Sequence, residues 1–338
     1  MPVAATAAAI EAPAVDAAPV CALEVKTDGP WTKRRDVPCP TEAVHLMVVG
    51  DVGYANPILD NSVAAAKALC AAERCDVLLL AGDLIYGPGS EAAAHWSAIW
   101  DAGLAKIGIP GVAVLGNHEW RHEPDPAKKR AAVFAADDRA GLILPAPSFA
   151  VRLVRDGSPV IAFAALDTDS VANPGPEMPG LGEAAFDAAC AQGVPVVVVG
   201  HHPPTSQGLH HTHEAHVEKQ LRDLHAARTA AGCDVRMVAA GHDHDLQAYP
   251  PSCEQEGVPA VVVAGVTARG YRKGGPAHLP KCGPGPSEGR DTVYVADRGE
   301  EGGFALARIP LGSEQTRLEL YTVPRTGGPA ELLSTTTF

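Results

Sequence analysis

Five short apolar runs set the rhythm of the chain: VHLMVVG (44–50), DVLLLAG (76–82), GVAVLG (111–116), VPVVVVG (194–200) and VRMVAAG (235–241). Runs this short, rich in valine or leucine and without polar alternation, suit strands buried on both faces, because a strand with one wet face would alternate. Helix-like stretches lie between them, at 59–74, 90–103, 126–139, 181–192 and 214–231. Strand and helix in alternation predict an α/β fold with sheet at its centre. VRLV (151–154), PVIAFAAL (159–166), VPAVVVAG (258–265) and GFALARI (303–309) add strands, and the Gly/Pro-rich stretch from Arg269 to Arg290 reads as a long loop. No internal repeat is visible. Residues 1 to about 40 read as a low-complexity arm ending in Pro38-Cys39-Pro40, which leaves 41–338 as one domain.

The strand ends carry the candidate chemistry. Each of the five runs closes on glycine and passes at once to Asp, Asn or His: Asp51, Asp83, Asn117 with His118, His201, and His242 with His244. Ligands of open α/β sheets lie outside the carboxyl ends of the strands, so these polar ends are expected to converge. A single Gly-Asp after a strand is an ordinary turn. Five such ends, all in metal-ligating residue types, are poorly explained by turn chemistry. His242 and His244 stand two apart, a spacing that on a strand would put both side chains on one face. Tyr86, taken alone, reads as a core tyrosine with a satisfied hydroxyl.

Composition narrows the classes. With 338 residues, 46% of them hydrophobic, the chain can bury a substantial core. Its net charge of -13 repels nucleic acid and anionic membrane surfaces, which are bound mainly through Lys and Arg, so no nucleic-acid partner is expected. No apolar run approaches the roughly 20 residues of a membrane span. A phosphate-bearing partner must therefore be gripped locally by something positive, and a metal centre can do this. The first twenty residues hold two acids and no Lys or Arg, unlike a secretory leader, and read as a tail with no signal peptide. None of the eight cysteines forms a Cys-x-x-Cys pair, which argues against a structural zinc site. They read either as buried free thiols or as disulfides made outside the reducing cytosol, with Cys21/Cys39 and Cys253/Cys282 the expected pairs. The second reading implies a secreted or periplasmic protein.

Taken in order, Asp51-Val52-Gly53, Gly82-Asp83-Leu84-Ile85-Tyr86, Gly116-Asn117-His118-Glu119, Gly200-His201 and Gly241-His242-Asp243-His244 resemble the motifs of the calcineurin-like metallophosphoesterases. The Asp-x-Gly and Gly-Asp-x-x-Tyr forms are similar to those of the purple acid phosphatases. Leu166-Asp167-Thr168, Leu246-Gln247 and Gly302-Gly303-Phe304-Ala305 add likeness to the small, tartrate-resistant type, and the resemblance runs from 44 to about 310. It implies a four-layer αββα sandwich with a dinuclear metal site at the strand carboxyl ends. It further implies Fe(III) held by Asp51, Tyr86, His244 and a bridging Asp83, and a divalent metal (Fe, Zn or Mn) held by Asn117, His201, His242 and the same Asp83. The donor types agree, since carboxylate and phenolate suit a hard ion and imidazole and amide oxygen a divalent one. Other metallophosphoesterases commonly carry a ligating His where this chain has Gly53, and Tyr86 is the natural replacement. Such a pair carries about +5, of which two carboxylates, a phenolate and a hydroxide remove about 4, leaving a centre that attracts phosphate.

The implied activity is acid phosphatase: in-line attack of metal-activated water on a small phosphate monoester, with inorganic phosphate as product. His118 and His210 are the residues expected to protonate the leaving alcohol and orient the phosphate. His118 follows a ligand directly. His210 lies nine residues after His201, the spacing at which the small acid phosphatases place a substrate histidine, although His202, His211 and His213 crowd the same segment. Two alternatives stand beside this reading. One is a phosphodiesterase on nucleotides or phospholipid headgroups with the same centre. The other is a metal-binding interaction protein without turnover, against which the intact ligand set and His118 argue.

Overall fold

The computed structural model describes residues 19–120, 126–174, 180–206, 210, 215–251, 257–268, 293–295 and 301–338. One sheet holds nine strands: β1 (Cys21–Lys26), β2 (Thr32–Val37), β7 (Phe149–Arg155), β8 (Ser158–Ala165), β9 (Val196–Val199), β10 (Val235–Ala240), β11 (Leu246–Tyr249), β12 (Ala260–Ala264) and β13 (Val293–Val295). The other holds seven: β3 (Ala43–Val49), β4 (Val77–Ala81), β5 (Gly111–Val114), β6 (Leu142–Ile143), β14 (Gly302–Pro310), β15 (Arg317–Val323) and β16 (Glu331–Thr337). The helices are α1 (Pro57–Glu73), α2 (Ala92–Trp96), α3 (Asn117–Trp120), α4 (Pro126–Phe134), α5 (Asp169–Ala172), α6 (Glu183–Cys190) and α7 (Ala215–Ala230).

In space the nine strands run β13-β11-β12-β10-β9-β8-β7-β1-β2 and the seven run β16-β15-β14-β3-β4-β5-β6. The centres are parallel, β8-β9-β10-β12 in one and β3-β4-β5-β6 in the other, while the flanks are antiparallel. The sheets face each other, α1 covers the outer face of the seven-stranded sheet, and α6 and α7 cover that of the nine-stranded one. That is the four-layer sandwich.

The continuous apolar runs follow from this layering. Along β8, Ile161 and Phe163 enter the core between the sheets while Ala162, Ala164 and Leu166 pack outward beneath Phe186 of α6. β9 repeats the pattern, with Val197 and Val199 inward and Val196 and Val198 outward. Both faces are dry, so both parities must be apolar. Asn56 begins α1 by accepting the Leu59 N–H, with Pro57 at the first helical position.

The expected helix over 90–103 is instead a chain of short pieces. Three-ten, α and π turns follow one another over 89–101 and bury Trp96, Ile99 and Trp100, and the left-handed Gly108 ends the next short turn. The arm expected over residues 1–40 is corrected at its far half. Cys21–Lys26 and Thr32–Val37 are strands of the nine-stranded sheet, β1 pairing with β7 and β2 with β1. β2 is an edge strand with the polar sequence TKRRDV, exposed along most of its length, so it carries no hydrophobic signature. Residues 1–18 and the loop expected at Arg269–Arg290 lie outside the described residues.

Three disulfides join Cys21 to Cys39, Cys70 to Cys75 and Cys190 to Cys233, and no cysteine among the described residues is free. The first pairing is the expected one; Cys253 and Cys282 lie outside the described residues. Such bonds persist in oxidising surroundings, which points to an extracellular setting. No described helix is long and apolar enough to cross a membrane.

Candidate metal centre

The loops leaving β3, β4, β5, β9 and β10 meet at one edge of the sandwich. Asp51 N–H donates to Gly82 O (3.1 Å) and Gly53 N–H to Asp83 O (3.0 Å), which ties the first loop to the second. Gly241 N–H donates to His201 O (3.0 Å), which ties the fourth to the fifth. Glycines allow this approach: a Cβ on Gly241 would lie 2.7 Å from Asp51 Oδ2. Asp51, Asp83 and His242 hold positive φ angles of 54°, 51° and 70°. That conformation costs roughly 1–2 kcal/mol for a residue with a side chain, and such strain gathers where function demands a geometry.

Two triads of donor atoms result. In the first, Tyr86 Oη lies 3.1 Å from Asp51 Oδ1 and 3.3 Å from His244 Nε2, which is itself 3.0 Å from Asp51 Oδ1. In the second, Asn117 Oδ1 lies 3.0 Å from His201 Nε2 and 3.1 Å from His242 Nδ1, and those nitrogens are 3.2 Å apart. Asp83 stands between the triads: Oδ1 is 3.3 Å from His201 Nε2, and donor atoms of Asp51, Asp83 and His244 all fall within 4.8 Å of one another. All seven expected ligand residues are thereby brought together.

The donor set fits a pair of cations. Bonds of about 2.0–2.1 Å in a tetrahedral arrangement separate neighbouring ligand atoms by about 3.3 Å, which is the spacing inside each triad. His201 Nδ1–H donates to Ala81 O (2.9 Å), so Nε2 faces Asn117 and Asp83, and a cation that displaces its proton would meet its lone pair there. Three lone pairs would then face one another across about 3 Å, an arrangement that a shared cation satisfies.

The electrostatics agree. Burial alone would raise the Asp51 carboxyl, but His244, with His201 and His242 behind it, holds it at about 2. His201 is lowered by burial and raised more by Asp83 and Asp51, to about 9. Burial and the two carboxylates push the Tyr86 phenol far above its ordinary value, so without a cation it remains a hydrogen-bond donor. A bound cation would reverse that balance, because the ion is the largest local charge in such a site.

His242 and His244 do not share a strand face. β10 stops at Ala240, and tight turns link Gly241 O to Asp243 N–H and Asp243 O to Asp245 N–H, both at 2.8 Å. With His242 at positive φ and its N–H bonded to Asp51 Oδ2 (2.8 Å), the two rings part, one to each triad. His118 sits at the rim, its side chain 30% exposed, with Nε2 3.9 Å from Asp83 Oδ2 and its ring 4.3 Å from that of Tyr86. His210 packs its ring 4.4 Å from His242. His211 and His213 lie outside the described residues.

Several residues were not legible as part of the site. Glu119 is fully buried and accepts N–H groups from Ile85 (2.8 Å) and Gly116 (2.7 Å), stapling the second loop to the third. Burial and the nearby Asp83 raise it to about 8. Thr168 Oγ1 accepts the N–H of His201 (3.1 Å) and of His202 (2.9 Å), which seats the fourth loop. Tyr54 stacks on Tyr86 with ring centroids 4.2 Å apart. Asp245 is buried beside Asp243 and raised to about 8. Glu119 and Thr168 belong to motifs already visible, whereas Tyr54 and Asp245 needed the fold.

Gly53 explains the tyrosine. A Cβ at this position would overlap the Tyr86 ring and stand 3.0 Å from Asp83 O and Ile85 N. Gly53→Ala should therefore lower the melting temperature and the metal retained after dialysis, with activity down by roughly 10–100-fold, the scale of disturbing a ligand's support. Thermal melts of Gly53→Ala, Tyr86→Ala and the double variant check the cause: the double variant should lose less than the sum, because the overlapping ring is gone.

Residues 44–246 match the profile of the calcineurin-like phosphoesterases. The chain belongs to that family. Membership implies a hydrolase that acts on phosphoesters with the aid of metals. Among solved structures it is similar to GAP50, the anchor in the inner membrane complex of Plasmodium, with 16% identity, a TM-score of 0.61, and 88% of this chain and 89% of that one covered. It is also similar to PhoD, with 13% identity, a TM-score of 0.53, and 91% and 75% covered. Likenesses at this identity speak for the fold alone. No curated protein matches the sequence significantly.

Proposed function

We propose that the protein is a dinuclear metal-dependent acid phosphatase that hydrolyses small phosphate monoesters and releases inorganic phosphate. The observation that carries this reading is the pair of triads, spaced 3.0–3.3 Å within each and linked through Asp83. Asp51, Tyr86 and His244 form the harder donor set, fitting Fe(III); Asn117, His201 and His242 form the softer one, fitting divalent Fe, Zn or Mn. Asp83 serves both.

When bound, the two ions supply Lewis-acid charge for the phosphate and lower the pKa of an attacking water. The chain's own residues do the rest. Asp83 and Asp51 supply fixed negative charge that holds the centre together, and Thr168 and Glu119 keep the loops in place. His118 and His210 flank the opening and are the proton donors for the leaving alcohol. The purple acid phosphatase type is supported by the Gly53–Tyr86 exchange, and a secreted or periplasmic location by the three disulfides. The catalytic unit of this proposal begins at β1 and runs to residue 338.

Elemental analysis beside a phosphate-release assay across pH tests the reading. Iron with a visible tyrosinate band that disappears in Tyr86→Phe is the expected result; an active, colourless, iron-free protein would overturn the iron assignment. Turnover of p-nitrophenyl phosphate should exceed that of bis-p-nitrophenyl phosphate, and the reverse order would make the protein a phosphodiesterase.

A further inference from the structure

We propose that Asp243 is a positioning residue: a two-pronged clip through which the turn bearing His242 and His244 holds His210 in place. The inference rests on the phosphatase reading only for its kinetic arm. Between the two histidines, which turn to the two triads, the Asp243 side chain goes elsewhere. It is 1% exposed, Oδ1 accepts the His210 N–H at 2.9 Å, and Oδ2 accepts a hydrogen bond from the Ser206 hydroxyl. Ser206 is held in turn by Gln247 Nε2 at 3.0 Å, and that amide also donates to Asp245 Oδ1 at 2.6 Å. The clip therefore rests on β11 rather than on solvent.

The chemistry selects a forked polar side chain at this position. An ionised carboxylate offers acceptors on two oxygens, and here two donors from one segment, four residues apart, each meet a different oxygen. An aliphatic residue would leave a half-buried N–H and a buried hydroxyl to find other partners, each at the cost of an unmade hydrogen bond. The consequence is geometric. His210 packs 4.4 Å from the ring of His242, and one turn sets both placements, His242 by its backbone and His210 through Asp243. Displacing a reacting group by about 1 Å can lower a rate about 10²-fold.

The experiment compares Asp243→Ala, Asp243→Asn, His210→Ala and the Asp243→Ala/His210→Ala pair, all metal-loaded, with metal content measured for each. Asp243→Ala should lower kcat on an alkyl phosphate by about 10²-fold. The nitrophenyl ester, whose leaving group needs no proton, should lose far less. The double variant should be no slower than His210→Ala alone, because the two residues act as one unit. Asp243→Asn should recover most of the rate, since its oxygen can accept from His210 while its amide donates to Ser206. A second readout needs no activity: hydrogen exchange of the His210 amide should be slow in the native protein and Asp243→Asn, and fast in Asp243→Ala. Unchanged exchange, an additive double variant, or lost metal with protection intact would each overturn the clip. A native protein that releases no phosphate would sink the phosphatase reading, while exchange would still decide the clip.

Discussion

Asp83→Asn should nearly abolish phosphate release while leaving the metal-free protein folded. Asp83 is 2% exposed and stands between both triads, within 3.3 Å of His201 Nε2 and among the donors that include Asp51 and His244. Removing its charge takes an anion from both proposed ions at once. The expected loss in kcat/KM is at least about 10³-fold, the upper end of what one oriented electrostatic group contributes. The backbone tolerates the change, because φ at this position is 51° and asparagine is among the residues that best accept that region. Metal stoichiometry, kcat/KM on p-nitrophenyl phosphate and a thermal melt of the chelated proteins check all three parts. Retention of both metals with full activity would remove Asp83 from its bridging place.

The second large effect concerns stability in acid. His225 lies on α7, 1% exposed, with its ring 5.5 Å from Phe186, and its Nδ1 has no hydrogen-bond partner among the described residues. Burial lowers it from 6.5 to about 3. Above pH 6.5 the ring is neutral in both states and has no effect. As pH falls from 6.5 toward 3 the unfolded chain takes up a proton that the folded one refuses, so stability is lost across that window. The full shift corresponds to about 5 kcal/mol, of which about 2 kcal/mol is lost by pH 5. Asp167 works in the opposite direction. Burial and Asp169 raise it to about 8, so it favours the folded state most at low pH and less as pH rises from 4 to 8. Subtraction isolates the histidine: the melting temperature of His225→Leu minus that of the native protein should grow as pH drops from 7 to 5. A constant difference would show that His225 does not titrate on unfolding. The window overlaps the acidic range proposed for activity, so operating pH and resistance to unfolding pull apart in this protein.

Much of the fold and the centre was legible because both rest on local signals. The five glycine-ended runs became β3, β4, β5, β9 and β10, since a strand dry on both faces leaves an unbroken apolar trace. β2 and β16 left no such trace, being edge strands whose residues are largely wet. The Cys190–Cys233 bond joins the end of α6 to the turn before β10 across 43 residues, a distance only folding closes.

Side-chain direction divides the two kinds of knowledge. The sequence alone determined which residue types end which strands, because the Gly-Asp, Gly-Asn-His and Gly-His-x-His steps are local chemistry of the backbone and its donors. Only the tertiary structure decided where those side chains point. The left-handed turn at His242 sends the two histidines to different triads, and Asp243 between them reaches Ser206 and His210 instead. Contacts of that kind depend on how separate loops lie against one another at the sheet edge, and no spacing along the chain encodes them.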